Sequence, residues 1–174
     1  GGPAGIAAAV AAAREGVRVV LVERYGFLGG MGTAAGVTNF CGLHANVFGD
    51  IRQVVHGVAD DLLARIAALG GLNEPHLIFG KIHAQAYDVS AFKCAADDLL
   101  AGAGVELLFH ALAAGVIKAP DGRIDALALE TKSGRVAVRA RLFIDCSGDA
   151  DLVHWAGVPT EKGDASGHLL YQTL

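Results

Sequence analysis

The chain opens Gly1-Gly2-Pro3-Ala4-Gly5, passes into an almost unbroken alanine-rich stretch, and continues into the β-branched run Val17-Arg18-Val19-Val20-Leu21-Val22-Glu23. No other feature restricts the fold as much as this order. Pro3 suits a first helical turn, where its missing amide costs nothing, and Gly16 suits the left-handed residue that ends a helix. The spacing therefore predicts a helix over residues 3–14, whose alanines favour the helix and allow close approach to a sheet. The apolar run 17–22 predicts a central parallel strand covered on both faces by helices. Helix delivered straight into strand is half of a βαβ unit, so the expected fold is α/β with a Rossmann-like core and a parallel sheet. The first strand of that unit is missing, and the sequence is expected to be a fragment that begins inside the turn.

In the dinucleotide pattern G-x-G-x-x-G the second and third glycines fall on Gly2 and Gly5, and the first would precede residue 1. Gly2 would let backbone approach a pyrophosphate, Gly5 would let helix pack on sheet, and the helix N-terminus would offer free amides and a positive dipole end. Such a site needs an acid about twenty residues on for the ribose hydroxyls. Glu23 ends the next strand, 18 positions after Gly5. A solvated strand end is the plainer reading of Glu23, but no other polar group of 17–22 stands at the required place.

Beyond a glycine-rich loop at 26–36, residues 51–69 carry Val54, Val55, Val58, Leu62, Leu63, Ile66 and Leu69 at helical spacing and predict an amphipathic helix. A second helix is expected over 89–101, with Asp97 and Asp98 on its polar side. Short strands are expected at 105–109, 115–118, 124–130 and 135–140, divided by Pro120-Asp121-Gly122 and Ser133-Gly134, which reads as a β-meander. Residues 142–146 then predict a buried strand that runs into Ser147-Gly148-Asp149, the kind of strand-to-loop junction where open α/β sheets bind ligands. The organisation expected is a first part of the nucleotide-binding core at 1–40, a partly helical substrate-side segment at 41–87, the rest of the core with its meander at 88–160, and the start of a truncated following segment at 161–174.

A net charge of −4 gives no basic field, which argues against nucleic acid and against an anionic membrane surface and leaves a small molecule as the expected partner. Cys41, Cys94 and Cys146 are odd in number and widely spaced, as in a reducing, cytoplasmic compartment. No leader is visible, and Arg14, Glu15, Arg18 and Glu23 interrupt the early apolar runs before they could span a bilayer. His56, His76, His83 and His110 lack metal-site spacing, so no metal is expected. Neighbouring residues on a helix point about 100° apart, so Asp60-Asp61 and Asp97-Asp98 read as solvated faces rather than paired catalytic carboxylates.

The run GGPAGIAAAVAAAREGVRVVLVERYGFLGGMGT resembles the start of FAD-dependent oxidoreductases of the two-dinucleotide-binding-domain flavoprotein group, and FIDCSGDADLVHWAG resembles their second FAD segment. The resemblance runs through the chain in order and is loose between residues 50 and 104. It implies FAD as cofactor, with Gly2, Pro3, Ala4 and Gly5 along the pyrophosphate, Glu23 at the adenosine ribose and Arg24 on the adenine side. Gly29, Gly30, Met31 and Thr33 would pass under the ribityl chain and flavin, where backbone must approach a planar ring without Cβ interference. Ala113, on a meander strand, would lie against the adenine. Ser147, Gly148 and Asp149 would close from the other side, with Asp149 either an acceptor or the cap of a helix over 150–156.

The implied activity is hydride or electron transfer through bound flavin between a small-molecule substrate and a separate electron donor or acceptor. Two catalytic candidates follow the flavin loop, Cys41 and His44, since a histidine near neutrality can move a proton beside a flavin. The plainer readings are a buried inert cysteine and a hydrogen-bonded histidine. An NAD(P)-dependent dehydrogenase would share the first motif and Glu23 but needs neither the Gly29-Gly30-Met31 loop nor Ser147-Gly148-Asp149. A non-catalytic nucleotide-binding module stays open as a third reading.

Overall fold

The structure, a computed structural model, describes residues 1–164 and 166–168; half of the segment expected at 161–174, including its apolar end Tyr171-Gln172-Thr173-Leu174, lies outside the described residues. In chain order the elements are α1 (Pro3–Arg14), β1 (Val20–Val22), a 3-10 turn (Gly30–Gly32), β2 (Asn39–Cys41), β3 (His44–Val47), β4 (Asp50–Gln53), α2 (Val58–Ala68), β5 (His76–Ile78), β6 (Ile82–Ala86), α3 (Val89–Gly102), β7 (Glu106–Leu108), β8 (Ala111–Lys118), β9 (Ile124–Thr131), β10 (Gly134–Arg139) and α4 (Asp151–Ala156). The fold is α/β of the Rossmann type. Helix α1 has the bounds expected of it and stops where Gly16 turns to φ +76°. Among the described residues no helix is long and apolar enough to cross a membrane.

β1 and β7 form a parallel pair, Val20 opposite Glu106, Leu21 opposite Leu107 and Val22 opposite Leu108. This pair divides two cores. On one side Ile6, Ala9 and Val10 of α1, Leu62 and Ile66 of α2, and Phe92, Ala95, Ala96, Leu99 and Leu100 of α3 are buried together, with Val19, Leu21 and Leu107 packed against them. On the other side Ala111, Leu127, Leu129 and Leu152 form a smaller cluster that receives Val22 and Leu108. The strand expected to have helices on both faces thus has helices on one and an antiparallel sheet, with α4, on the other. That sheet has the order β10-β9-β8.

Four expectations are corrected by the structure. The first strand is shorter than 17–22, and Val17 is exposed, because the β7 ladder begins only at Val20. Residues 105–109 contribute β7 to the parallel pair rather than a strand to the meander, which therefore has three strands. The helix expected over 51–69 begins only at Val58. Residues 50–53 instead pair with β3 in a hairpin whose turn residues Phe48 and Gly49 have φ +54° and +100°, the backbone signs of a type I′ turn. Ile51, Val54 and Val55 do have helical spacing, but they are β-branched and bracketed by glycines. Gly57 takes φ +83° and ψ −123°, a backbone that favours glycine, and Asp60 closes the first turn of α2 by accepting from the Gly57 amide at 2.8 Å.

The fourth correction concerns residues 142–146, which form no strand and leave Leu142 86% and Ile144 64% exposed. An apolar pentapeptide becomes a buried strand only when a neighbouring strand supplies its ladder, and among the described residues none lies beside it. The second long helix, by contrast, matches its pattern closely: Asp88 caps α3 by accepting from the Ala91 amide at 2.7 Å, and Asp97 and Asp98 are exposed. Between residues 41 and 87 strands outnumber helix, with a sheet of order β2-β6-β5, while α2 joins the main core. Phe40, Tyr87 and Phe92 tie that sheet to α3, with ring centroids 4.4 Å (Phe40 to Tyr87) and 5.1 Å (Tyr87 to Phe92) apart.

Candidate functional site

The two glycine loops meet backbone to backbone at the start of α1. A Cβ placed on Gly30 would stand 2.7 Å from the Gly2 Cα, so a side chain there would push the loops apart. The Gly29 amide donates to the Gly1 carbonyl at 2.8 Å. Gly1, which the motif leaves unspecified, is equally constrained, because a Cβ on it would fall 2.5 Å from Glu23 Oε2 and 2.8 Å from Leu28 Cδ2. Gly29 and Gly30 take φ +114° and +49°, which turns the chain through the 3-10 turn without the penalty that an L side chain would carry.

The second loop is held from beneath. Thr33 is buried and its hydroxyl donates to the Leu28 carbonyl at 2.7 Å, so this side chain shapes the loop. Tyr87 places its hydroxyl 2.9 Å from the Gly32 carbonyl and 2.5 Å from the Val37 carbonyl, and burial pushes its pKa up to about 12. Met31, at the tip, is 45% exposed.

Glu23 stands at the same end of the sheet, only 8% exposed. One carboxylate oxygen accepts from the Tyr25 amide at 2.8 Å and the other lies 3.0 Å from the Gly1 nitrogen, so the acid reaches across to the first glycine loop. β8 starts against this segment: the Ala111 amide donates to the Glu23 carbonyl and the His110 amide to the Tyr25 carbonyl, each at 3.1 Å. Ala113 follows two residues later, partly buried and opposite Leu129, just before the strand bulges. Arg24 lays its guanidinium over the Tyr25 ring at 4.8 Å. Tyr25 in turn stacks on Phe27, whose other neighbour is the Lys93 ammonium, 3.6 Å from the ring centroid.

The third piece comes from the loop before α4. A Cβ on Gly5 would lie 3.4 Å from Leu21 and 3.5 Å from the Cβ of Cys146, which places that loop beside the start of α1. The Asp145 carboxylate accepts from the Ser147 amide at 2.9 Å and from the Val153 amide at 3.1 Å, and Ser147 Oγ accepts from the Asp151 amide at 2.9 Å. Burial alone would raise Asp145, but hydrogen bonds from Ser147 and the first turns of α4 outweigh it and hold the carboxyl below its ordinary range. The capping role that the sequence offered to Asp149 is therefore taken by Asp145 and Ser147. Asp149 is exposed and has no hydrogen-bond partner among the described residues. Gly148, at φ +94°, makes the turn between them.

Gly2, Pro3, Ala4, Gly5, Glu23, Gly29 and Gly30 are thus gathered around one helix end, with Cys146, which precedes Ser147 to Asp149, against Gly5. Helix α1 has no capping side chain and no acid in its first turn, so its positive end is open to an anion. A glycine shelf that a Cβ would fill, an open helix N-terminus and a buried carboxylate at the strand end fit the phosphates and ribose of a dinucleotide. The sequence missed Gly1, Leu28 and Tyr87; Gly1 was visible as a glycine without a role, whereas nothing in the spacing singles out Tyr87.

The two catalytic candidates stand on β2 and β3. Cys41 ends β2 and is exposed, not buried. His44, on β3, lines a cavity of about 300 Å³ together with Gln53, Asp60, Leu63, Ala64, Ala67, Leu72 and Gln85, none of them a glycine-loop residue. Asp60 and Asp61 diverge, the first bound to His56 and Gln53 and the second to Arg14. Among the described residues no group of three or more His, Cys, Asp and Glu side chains is gathered as metal ligands would be.

Residues 1–173 match the model of a family described as FAD dependent oxidoreductase. No curated protein matches the chain. Among solved structures the chain is similar to THI4 of Thermovibrio ammonificans (19% identity, TM-score 0.59, 89% of this chain and 58% of that one). It is also similar to CabE, an aromatic hydroxylase from angucycline biosynthesis (18%, 0.57, 90% and 31%), and to BexE, studied for oxidation during BE-7585A biosynthesis (20%, 0.57, 90% and 32%). At these identities the likeness establishes the fold. The chain spans a little over half the length of the first of these proteins and about a third of the other two.

Proposed function

The chain belongs to the FAD dependent oxidoreductase family, and on that footing we propose that it is the FAD-binding part of an enzyme that oxidises or reduces a small molecule. The observation that carries this reading is the contact of Gly30 with Gly2 at the open end of α1, beside Glu23. A nicotinamide enzyme needs only the first of those loops, so the junction favours FAD over the dehydrogenase alternative. Bound FAD would supply a ring that takes up and returns a hydride or an electron pair.

The residues present divide the work of holding it. Gly2, Pro3, Ala4 and Gly5 would offer backbone and the helix end to the pyrophosphate. Glu23 would accept from ribose hydroxyls, while Arg24 and Ala113 would border the adenine. Gly29, Gly30, Met31 and Thr33 would form the floor of the flavin side, kept in shape by the Thr33 and Tyr87 hydrogen bonds. Ser147 and Gly148 would close from the α4 side, leaving Asp149 as a free acceptor. Residues 41–87 would form the substrate side, with Cys41 and His44 as its proton-transfer candidates, and the three free cysteines suit a reducing, cytoplasmic setting.

The test is retention of flavin. The purified chain is incubated with FAD and passed over a desalting column, and the visible spectrum is read before and after dithionite. Flavin bands that travel with the protein and bleach on reduction support the reading. A folded protein that emerges colourless, with free FAD fluorescence undiminished, would overturn it.

A further inference from the structure

The cavity between α2 and the β3–β4 hairpin is unrelated to the glycine loops, and its lining has a marked chemical bias. Four of its side chains are polar: His44, Gln53, Asp60 and Gln85. The Gln53 amide nitrogen is committed to the Val55 carbonyl at 2.7 Å and to Asp60 Oδ1 at 2.6 Å. The Gln85 amide nitrogen is committed to the Asn73 carbonyl at 2.9 Å. Only an NH₂ can donate to that carbonyl, which fixes the orientation of the Gln85 amide and leaves its oxygen over.

Gln85 is 8% exposed and that oxygen has no partner; His44 Nδ1 is likewise buried and unpartnered. The Asp60 carboxylate is exposed and already accepts from Gln53, His56 and the Gly57 amide, so it contributes negative charge, while the unmet acceptor of the lining is the Gln85 oxygen; no lysine or arginine lines the cavity. A buried acceptor left without a donor, as the Gln85 oxygen is, costs free energy, and a ligand that brings a donor recovers it. Leu63, Ala64, Ala67 and Leu72 supply an apolar floor. The site is a depression of about 300 Å³ that is largely open to solvent, with room for a small molecule lying against α2.

We propose that this cavity is a binding site for a small organic cation, a primary ammonium group on a short apolar body. The ammonium has three donors and no acceptor, which suits the unpartnered Gln85 oxygen, and its charge is opposite to that of Asp60. The hydrocarbon part would lie on the α2 alanines and the two leucines. None of the residues that would hold FAD takes part, although His44, the proton-transfer candidate above, lines the cavity; the test below reads binding alone, so its outcome is separate from that of flavin retention.

The test uses n-butylammonium, with n-butanol and butyrate as matched probes, followed by NMR of the alanine and leucine methyl groups. Saturable shifts confined to Leu63, Ala64, Ala67 and Leu72, with n-butanol roughly tenfold weaker and butyrate weaker still, are expected. Ala67→Leu, on an exposed position of α2, should abolish those shifts with an unchanged dichroism spectrum, and Ala64→Leu provides the same block should Ala67→Leu fail to fold. Equal response to all three probes, shifts that survive both substitutions, or no shift with any probe, as for a cavity that holds only water, would each overturn the proposal.

Discussion

Tyr87→Phe removes one oxygen from a buried position where it serves two carbonyls, Gly32 and Val37, that shape the second glycine loop. At pH 8 the variant should lose about 1–2 kcal/mol, since the ring still fills its place but the carbonyls lose their donor. The alkaline limb gives a sharper check. Burial pushes the folded-state pKa of Tyr87 up to about 12, while an unfolded tyrosine titrates near 10. A raised pKa means that the tyrosine's contribution is complete below pH 10 and is lost as pH rises towards 12, because the unfolded chain gives up its proton first. At pH 11.5 the wild type should have lost about 2 kcal/mol that the phenylalanine variant cannot lose. Urea unfolding of both proteins at pH 8 and pH 11.5 would therefore show the gap between them closing or changing sign. Titration of every other group cancels in the comparison. A gap of the same size at both pH values would refute the reasoning, and a gap near zero at pH 8 would show that the hydroxyl does not hold the loop.

Gly30→Val should lower FAD retention at least about tenfold and cost about 1–2 kcal/mol in urea unfolding, because it adds a side chain at φ +49° against Gly2. Asp145→Asn should destabilise α4 by about 1–2 kcal/mol above pH 4. Because the folded carboxyl lies below its ordinary range, that difference should fade as pH drops through the folded value, which dichroism across an acid titration would follow. Phe92→Ala, at the centre of the helical core, should cost about 3–5 kcal/mol in the same unfolding assay.

Local signals were legible where the residues themselves enforce geometry. Pro3 and Gly16 delimit α1, Asp88 caps α3, and the turns at 121–122 and 133–134 delimit the meander. The close approach of the two glycine loops was legible for the same reason, since a close approach of backbones is written as an absent side chain. What failed depended on neighbours. Residues 51–55 carry helical spacing, yet Ile51 to Gln53 pair in a hairpin and Val54 and Val55 lie outside any helix, because Gly49 and Gly57 bend the chain on both sides. Residues 142–146 look like a strand in isolation, but strand character is conferred by a partner. Tyr87 was invisible as a site residue because its role depends on a loop 50 and more positions away.

The division of the interior by the short pair β1 and β7 bears on how the molecule opens. α1, α2 and α3 share one apolar cluster, while the meander and α4 share another, and three residue pairs of ladder separate them. Two such units should open as separable cooperative blocks. Native-state amide exchange should then show one set of protection factors for the helical block and a lower, distinct set for the meander block, with Val20 to Val22 following the stronger. A dinucleotide bound across Gly2, Glu23, Ala113 and Ser147 would touch both blocks, so its binding energy would appear as cooperativity between them before it appeared anywhere else.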